Sequence, residues 1–375
     1  MQGADADVVR AALDSGEPLP GTGGFAGDLG DTLVRDVLGR YPLFVEGDAP
    51  SPGPLAEADW SHDPTDLEAP ERFSAGHVRD ADGTRSVWSL PDLSPYENRE
   101  TAVAAVREAV EGRIDDVDSE GLAIAFSGGV DSALLAARLD APLYVAGFPE
   151  SHDVEAARAA ADALDRDLTV VELTHDALER AVPELVAATG RTNAMAIQIA
   201  LPLYLTAERV AADGFDRLAV GQGADELFGG YAKVAKAPDD PRVQADTIRG
   251  AQREVVATLP DQLERDVLAL RAAGVEPVAP LLHDDVVRSA LRLDDAMLVD
   301  GETRKWALRQ AALGSLPETI AMRDKKAAQY GSLAARELDR LARQAGYKRR
   351  MDDHVTQYVE SLAPEPPSFR RRDAR

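Results

Sequence analysis

Cysteine is absent from the 375 residues of this chain, and lysine is scarce. The missing cysteine excludes disulfides, thiolate metal sites and cysteine nucleophiles. Only six of the 41 basic residues are lysines, so a lysine inside a motif is informative. The six histidines are scattered without the spacing of metal ligands, which predicts that the chain has no structural zinc site.

Long apolar runs are also missing. The longest one, residues 194–207, contains Gln198 and Pro202 and is too short to span a bilayer. Residues 1–18 are acidic and lack the apolar core of a signal peptide. These absences predict a cytoplasmic protein without a membrane partner.

Positive charge is deficient overall, because the formal net charge is −25 and the sequence pI is near 4.6. Binding to a phosphate backbone requires a basic surface, so the composition predicts no nucleic-acid partner. Abundant aspartate with little lysine is typical of salt-adapted, haloarchaeal cytoplasmic proteins, in which concentrated salt screens the repulsion between surface charges. The basic cluster at residues 370–372 is interpreted as part of a solvated tail.

The first 95 residues predict a small β-rich domain. Residues 1–30 are rich in glycine, aspartate and alanine, and we expect a helix with loops there. Strands are predicted at residues 33–36, 42–45, 60–61, 76–78 and 86–88. A helix predicted at residues 97–111 leads into a second domain.

The second domain, residues 96–350, alternates predicted strands with predicted helices. Strands at residues 122–126, 143–148, 168–173 and 217–220 alternate with helices at residues 133–139, 153–164, 175–188 and 195–212. Such alternation is typical of an α/β protein with a parallel sheet and helices on both faces, whose ligands lie at the carboxyl ends of the strands. The part from residue 241 is expected to be mostly helical, and residues 351–375 are expected to form a partly disordered tail.

A glycine-rich turn, Ser127-Gly128-Gly129-Val130-Asp131-Ser132, joins the first of these strands to the helix that follows it. Backbone N–H groups and a helix N-terminus converge in such a turn, and its glycines let a phosphate approach the backbone closely. A carboxylate would repel phosphates, so Asp131 indicates a Mg²⁺ ion between them. The turn is not a Walker A loop, because the chain has no G-x4-G-K-[ST] pattern.

This turn resembles the SGGxDS pyrophosphate loop of the N-type ATP pyrophosphatases, which split ATP into AMP and pyrophosphate to activate a carboxylate or a carbonyl oxygen. The resemblance implies an adenine-nucleotide-alpha-hydrolase-like (HUP) fold. It also implies that ATP binds along residues 127–132 and that Asp131 binds Mg²⁺. A strand-to-helix turn without a ligand is the alternative interpretation.

A second motif follows the predicted strand at residues 217–220 and reads Gly221-Gln222-Gly223-Ala224-Asp225-Glu226-Leu227-Phe228-Gly229-Gly230-Tyr231. It is not a dinucleotide-binding fingerprint, because Glu226 stands where that motif needs a small residue. The stretch closely resembles GEGADELFGGY of the asparagine synthetase family. That resemblance implies that Asp225 binds Mg²⁺ together with Asp131, and that Val220 and Gly221 contact the nucleotide through their backbone.

Shorter segments extend the resemblance to this family. The match implies that Phe126 and Ala146 line the adenine pocket. The stretch Lys305-Trp306-Ala307-Leu308-Arg309 resembles the family's K-x-x-L-R, and Arg323-Asp324-Lys325 resembles its R-x-K motif. The resemblance implies that Lys325 stabilises negative charge on phosphate and on an adenylated intermediate, which is what this chemistry requires. A surface lysine in a charged turn is the alternative.

Residues 1–95 resemble the latter half of the family's glutaminase domain at residues 38–44, 60–63 and 73–77. A glutaminase of this class uses an N-terminal cysteine as its nucleophile, and the chain has no cysteine. We therefore interpret this region as a vestigial, non-catalytic remnant that covers the synthetase domain. An unrelated β domain is the alternative.

Three positions depart from the family pattern. The family's glutamate is Gln222 here, and glutamine cannot take a proton at neutral pH. An arginine that helps to shape the family's aspartate pocket is replaced by Val278, and an aspartate is replaced by His283. The loss of a cation that could hold an α-carboxylate weakens the case for aspartate as the substrate.

The sequence thus predicts an AMP- and pyrophosphate-forming amide ligase that resembles the synthetase half of asparagine synthetase, with Lys325, Gln222 and Arg323 as its catalytic residues. The predicted partners are a small-molecule carboxylate and ammonia or another amine, with the ammonia supplied from solution or by a separate glutaminase subunit. Two alternatives stay open: a related ligase that adenylates a different carboxylate, and a non-catalytic nucleotide-binding scaffold or regulatory partner.

Overall fold

The computed structural model describes residues 1–47, 59–149, 151–237, 244–323 and 330–363. Its N-terminal part contains one helix and eight strands with these bounds: β1 (Gln2–Gly3), α1 (Ala6–Ser15), β2 (Phe25–Asp28), β3 (Leu33–Arg35), β4 (Phe44–Glu46), β5 (Trp60–Ser61), β6 (Pro70–Arg72), β7 (His77–Asp80) and β8 (Gly83–Ser86). Five of them form an antiparallel sheet in the order β1-β2-β3-β7-β8, and three form a second sheet in the order β5-β4-β6. This part is rich in strands, and the separate domain at residues 1–95 stays a prediction.

Two details of the N-terminal strands correct the sequence prediction. Strands β1 and β2 lie within the first 30 residues, where only a helix and loops are expected. The strand predicted at residues 86–88 ends at Ser86 and begins earlier, at Gly83. Gly83, with φ 116°, closes a tight turn and pairs with Asp80 of the preceding strand. Trp88 lies beyond that strand and packs edge-on against Phe25, with 5.4 Å between the ring centroids.

A parallel sheet forms the centre of the α/β part, as the alternating pattern predicts, and it has five strands. Its strands are β9 (Leu122–Ala125), β10 (Leu143–Gly147), β11 (Leu168–Glu172), β12 (Arg217–Ala219) and β13 (Glu276–Val278). They lie in the order β11-β10-β9-β12-β13, and every neighbouring pair is parallel. The chain adds β10 and β11 on one side of β9 and then adds β12 and β13 on the other side. The strand order therefore reverses between β9 and β12, and ligands of open α/β sheets bind at such a reversal.

Helices cover both faces of this sheet. The first five are α2 (Arg99–Asp115), α3 (Val130–Arg138), α4 (His152–Ala163), α5 (His175–Thr189) and α6 (Ala194–Ala212). On β9, Leu122 and Ile124 pack into a core with α2 and α3, whereas Ala123 packs into a separate core with Ala207 and Val210 of α6. Strands buried on both faces read as continuous apolar runs, which is why β9 and β10 are recognisable in the sequence.

The chain beyond β12 is mostly helical, as expected. Its helices are α7 (Ala224–Leu227), α8 (Ala232–Ala235), α9 (Ile248–Val256), α10 (Leu259–Ala272), α11 (Asp284–Ala290), α12 (Asp295–Leu298), α13 (Trp306–Ala312), α14 (Glu318–Ala321), α15 (Tyr330–Gln344) and α16 (His354–Leu362), with a short hairpin of β14 (Val299–Asp300) and β15 (Thr303–Arg304). Helix α16 lies inside the segment that is expected to be partly disordered. None of the described helices combines the length and the apolarity that crossing a bilayer requires.

The fifth parallel strand, β13, is absent from the sequence prediction. Its central residue is Pro277, which has no N–H to donate to a neighbouring strand. The strand is nevertheless possible, because it lies at the edge of the sheet and pairs only with β12. Proline therefore obscures the strand in the sequence without preventing it in the structure.

A buried ion-pair network joins the N-terminal strands to the α/β part. The guanidinium of Arg40 contacts Asp36 at 2.9 Å and Asp284 of α11 at 2.7 Å. The second carboxylate oxygen of Asp284 accepts hydrogen bonds from the backbone N–H groups of Gly21 and Thr22 at 3.0 and 2.8 Å. Because Asp284 is fully buried, these contacts hold the two parts in one arrangement.

The N-terminal part also contains a histidine that is expected to make its stability sensitive to acid. Burial lowers the pKa of His62 from 6.5 to about 4, although its Nδ1–H donates a hydrogen bond to the carbonyl of Pro42 at 2.8 Å. Below pH 6.5 the unfolded chain takes up a proton that the folded chain does not, so stability should fall from pH 6.5 down to about pH 4. His62→Asn keeps an amide donor for Pro42 and should remove this part of the pH dependence.

Denaturant unfolding at constant salt between pH 7 and pH 4 measures the effect of His62. The matched control is His152→Asn, because the His152 side chain is 99% exposed and its loss should leave the pH dependence unchanged. Parallel loss of stability in the wild type and in His62→Asn would contradict the prediction.

Candidate active site

The two sequence motifs meet at the reversal of strand order. Residues 127–132 connect β9 to α3, and residues 221–223 connect β12 to α7. Strands β9 and β12 are hydrogen-bonded neighbours, with Ala219 opposite Ile124. Both turns therefore lie side by side at the carboxyl edge of the sheet. They border a cavity of about 400 Å³ between α6 and α10.

The first turn has the close-packed backbone that its glycines predict. Gly128 has φ 73°, and a Cβ atom there would lie 2.9 Å from the carbonyl oxygen of Ala156. Inside the turn, Ser132 Oγ accepts a hydrogen bond from the Ser127 N–H at 3.2 Å and donates one to the Gly129 carbonyl at 3.3 Å. Gly129 is the N-cap of α3 and provides no side chain to cap the helix. The first turn of α3 thus presents backbone N–H groups that suit a phosphate.

Lys305 lies between the aspartates of the two motifs. Its Nζ atom is 2.6 Å from Asp131 Oδ2 and 2.7 Å from Asp225 Oδ1, and only 3% of its side chain is exposed. Burial alone would lower the pKa of Lys305, but the carboxylates of Asp131 and Asp225 outweigh burial and raise that pKa above its usual value. The lysine is therefore a fixed positive charge at the point where the two motifs converge.

Glycines make room for this triad. A Cβ atom on Gly221 would lie 3.0 Å from Asp131 Cβ, so Gly221 allows the second motif to approach the first. Gly230 packs against both Asp225 and Lys305. Lys305 itself has φ 56°, a left-handed conformation that is uncommon for a residue with a side chain. Such a conformation often marks a functional position.

The two aspartates fit a divalent cation such as Mg²⁺. Among the described residues, the buried Oδ1 atom of Asp131 has no hydrogen-bond partner, although the other oxygen of that carboxylate is paired with Lys305. Carboxylate oxygens are the protein ligands that Mg²⁺ prefers, and a protein site of one or two carboxylates plus substrate phosphates is its usual form. Asp131 and Asp225 can thus bind a metal that phosphates complete.

The cavity lining also contains a second polar cluster. Gln222 Nε2 donates a hydrogen bond to Asp266 Oδ2 at 2.6 Å, and Arg265 Nε donates one to Asp266 Oδ1 at 2.6 Å. Burial would lower the pKa of Arg265, but the Asp266 carboxylate outweighs burial and raises it. Tyr231 donates its hydroxyl hydrogen to Glu226, whose pKa is raised mainly by burial. The cavity lining therefore combines residues of the glycine-rich turn with an ordered set of charged and amide groups.

Seven of the fourteen predicted site residues line this cavity. Its lining includes Ser127, Asp131, Ser132, Val220, Gly221, Gln222 and Asp225. Arg323 donates a hydrogen bond at 3.0 Å to the Ala156 carbonyl, the same oxygen that lies next to Gly128. Gly128, Gly129 and Val130 complete the turn itself, and Lys325 lies outside the described residues.

Other predicted residues lie elsewhere. Phe126 and Ala146 are buried in apolar cores and do not line the cavity, so their contact with adenine stays a prediction. Val278 and His283 line a neighbouring cavity of about 470 Å³, which also borders Gln222. Neither Val278 nor His283 contributes to the wall that contains Asp131 and Asp225.

The structure adds three residues that sequence reasoning did not select for the site: Lys305, Arg265 and Asp266. For Lys305 a signal existed, since it is one of six lysines and begins a recognised stretch. Nothing in the sequence marked Arg265 and Asp266, because they lie in the middle of α10, where charged residues are common.

Comparison with known proteins gives a consistent picture. A family model described as asparagine synthase matches residues 102–256 and 238–373. A Methanocaldococcus jannaschii protein assigned as a glutamine-hydrolysing asparagine synthetase is 29% identical over 313 residues, which cover 74% of this chain and 57% of that protein. Escherichia coli asparagine synthetase B, glutamine-hydrolysing, is 25% identical over 320 residues, or 78% of this chain and 57% of that enzyme. The chain thus spans little more than half the length of these relatives.

Proposed function

The chain belongs to the asparagine synthase family, and we propose that it is an ATP-dependent ligase that joins a carboxylate to an amine with release of AMP and pyrophosphate. The observation that supports this proposal most strongly is the pair formed by Asp131 and Asp225. Two separate motifs, on neighbouring parallel strands, bring these carboxylates within hydrogen-bond distance of the same lysine nitrogen. A glycine-rich turn with available helix N–H groups lies beside them.

In the proposed reaction, the backbone of residues 127–132 and the start of α3 bind the phosphates of ATP. Asp131 and Asp225 would hold Mg²⁺, and the ion would supply positive charge to the phosphates. Lys305 contributes a positive charge that is already desolvated, so it loses little further hydration when phosphate charge develops beside it. Arg323 lies next to the turn, and Lys325 is proposed to stabilise negative charge on phosphate and on the adenylated intermediate.

Adenylation then requires a carboxylate oxygen to attack the α-phosphorus, with pyrophosphate as the leaving group. The acyl-adenylate that results reacts with an amine and releases AMP. The polar cluster of Gln222, Arg265 and Asp266 faces the same cavity and is the proposed location of the carboxylate substrate and the amine. Such a cavity contributes to catalysis by positioning the reactants and by removing water from around them.

Aspartate is the leading candidate for the acceptor, and a different carboxylate is the alternative. The alternative is favoured by Val278, which stands where the family has an arginine and which borders the neighbouring cavity. Arg265 is a cation within the main cavity, but its Nε atom is bound to Asp266. Recognition of aspartate would call for a free arginine. This arrangement suits an acceptor that depends less on such a residue.

The amine is proposed to be ammonia from solution or from a separate glutaminase. The relatives are named as glutamine-hydrolysing enzymes. This chain has no cysteine that could act as the nucleophile of such a hydrolysis. We therefore propose that residues 1–95 act structurally, through contacts such as the Arg40–Asp284 ion pair.

Pyrophosphate release from Mg²⁺-ATP tests the proposal. Purified protein in molar KCl would be screened with aspartate, glutamate and other carboxylates, with and without ammonium chloride. Asp131→Asn should reduce carboxylate-dependent release about 100-fold, because it removes charge from the proposed metal site and unbalances Lys305. Asp140→Asn, which changes an exposed residue just after α3, should leave release unchanged.

The outcomes of the screen separate the candidate functions. Release that requires aspartate, with asparagine formed when ammonium is present, would support asparagine synthesis. Release with another carboxylate would support the alternative acceptor. ATP binding without release from any carboxylate would favour a nucleotide-binding scaffold and would contradict the proposed ligase.

A further inference from the structure

The polar cluster on α10 contains a carboxylate that the family pattern does not predict. Asp266 is buried, and it lines the same cavity as Asp131 and Asp225. Its two oxygens accept one hydrogen bond each, from Gln222 Nε2 and from Arg265 Nε, both at 2.6 Å. The side chain is therefore held at the cavity wall in one orientation by two donors.

The partner of Asp266 explains why this carboxylate matters. Gln222 occupies the position at which the family pattern has a glutamate. A carboxylate has no hydrogen to donate, so the contact with Asp266 requires the NH₂ group of Gln222 to face it. A glutamate at position 222 would instead place two negative charges in contact. Gln222 and Asp266 thus form a complementary pair of an amide donor and a carboxylate acceptor.

We propose that Asp266 is the group that accepts the proton of the attacking amine, in place of the glutamate that Gln222 replaces. This inference rests on the proposed ligase function. Gln222 then acts as a positioning residue, because its amide fixes the Asp266 carboxylate at the edge of the cavity.

The proton transfer balances as follows. The lone pair of the unprotonated amine forms a bond to the carbonyl carbon of the acyl-adenylate, which leaves a positive charge on nitrogen. That nitrogen loses one proton to Asp266, the bond between the carbonyl carbon and the AMP oxygen breaks, and AMP leaves with the bonding electrons. Asp266 afterwards releases the proton to solvent. As the bond to the AMP oxygen breaks, the positively charged nitrogen becomes that of an N-protonated amide, which is a strong acid, so a carboxylate can accept its proton.

The other acidic groups at the cavity are already engaged. Asp131 and Asp225 contact Lys305 and are the proposed metal ligands. Glu226 accepts the hydroxyl hydrogen of Tyr231. Each oxygen of Asp266 has two lone pairs and uses one in the described contacts, so the carboxylate keeps capacity for a proton.

Separate measurement of the two half-reactions tests this role in the full chain. Carboxylate-dependent exchange of labelled pyrophosphate into ATP reports adenylation, a step that does not involve the amine or its proton. Amide formation with ammonium chloride reports the second step. Asp266→Asn should lower amide formation about 100-fold more than it lowers the exchange rate, the usual contribution of a general base. The matched control is Asp261→Asn, which removes a half-exposed carboxylate from the same helix outside the cavity and should change neither rate.

A compensating variant distinguishes proton transfer from simple support of the structure. In Gln222→Glu with Asp266→Asn, the carboxylate returns to residue 222 and an amide takes its place at 266. Amide formation by the double variant should be at least about tenfold faster than by Asp266→Asn alone. If Asp266 were merely structural, the double variant would show no such recovery.

Three results would overturn the inference. The first is unchanged amide formation in Asp266→Asn. The second is an equal loss of both half-reactions without recovery in the double variant. The third is an absence of carboxylate-dependent exchange in the wild type, which would overturn the proposed ligase function and this inference with it.

Discussion

Lys305→Met is expected to be the most damaging single substitution in the site. Without divalent cations it should lower the free energy of unfolding by about 2–4 kcal/mol, because it leaves two mostly buried carboxylates without their shared cation. Carboxylate-dependent pyrophosphate release should fall about 1000-fold, since the variant also loses a positive charge beside the phosphates. Methionine nearly matches the shape of lysine, so the change tests charge rather than packing.

Magnesium should partly reverse the loss of stability in Lys305→Met. A divalent cation can neutralise Asp131 and Asp225 once the lysine is absent, and a ligand that binds only the folded state stabilises it. Thermal unfolding with and without excess MgCl₂ would show a larger shift in the variant than in the wild type. Lys348→Met, which changes an exposed lysine, is the control and should show neither effect.

The pH dependence of Lys305 provides an independent measurement. Its pKa is raised in the folded state, so its contribution to stability is complete below the unfolded pKa of about 10.4 and is lost as pH rises through the folded value. The difference in stability between wild type and Lys305→Met should therefore stay constant through neutral pH and shrink in strong base. Equal stability of the two proteins at pH 7 without metal would contradict the role assigned to Lys305.

The sequence alone was sufficient to predict the part of the site that depends on local backbone conformation. The turn at residues 127–132 and the turn that begins at Gly221 each follow a buried strand, and glycines report directly on the conformations that such turns need. Strands β9 and β12 are recognisable as apolar runs, and the rule that ligands bind at the carboxyl ends of parallel strands places both turns at one edge. The positions of Asp131 and Asp225 followed from these local signals.

Contacts between distant segments could not be obtained in this way. Lys305 meets Asp131 across 174 residues, and its stretch lies after a hairpin whose two-residue strands give almost no pattern. The pair of Gln222 and Asp266 joins a turn to the middle of α10, and nothing in a helical pattern shows which charged residue faces a cavity. Strand β13 was hidden by Pro277. In each case the information lies in tertiary packing rather than in local propensity.

Gly230→Ala is expected to show how closely the triad of Lys305, Asp131 and Asp225 is packed. A methyl group at residue 230 would overlap Asp225 Oδ1 and Lys305 Cε, and it would lie 2.8 Å from Asp225 Cα. The last atom belongs to the backbone and cannot rotate away, so Asp225 must be displaced. Overpacking of this kind costs about 1–3 kcal/mol of stability, and a displacement of about 1 Å at a reacting site costs about 100-fold in rate.

Thermal unfolding and pyrophosphate release measure these two effects of Gly230→Ala. The control is Gly112→Ala in α2, where an added methyl group meets nothing within 4 Å and should stabilise the helix by about 0.5–1 kcal/mol. Gly230 has no positive φ, unlike Gly128, so backbone strain does not contribute to the expected loss. A Gly230→Ala protein that keeps wild-type pyrophosphate release would show that Asp225 can move without consequence, and Asp225 would then not be a metal ligand.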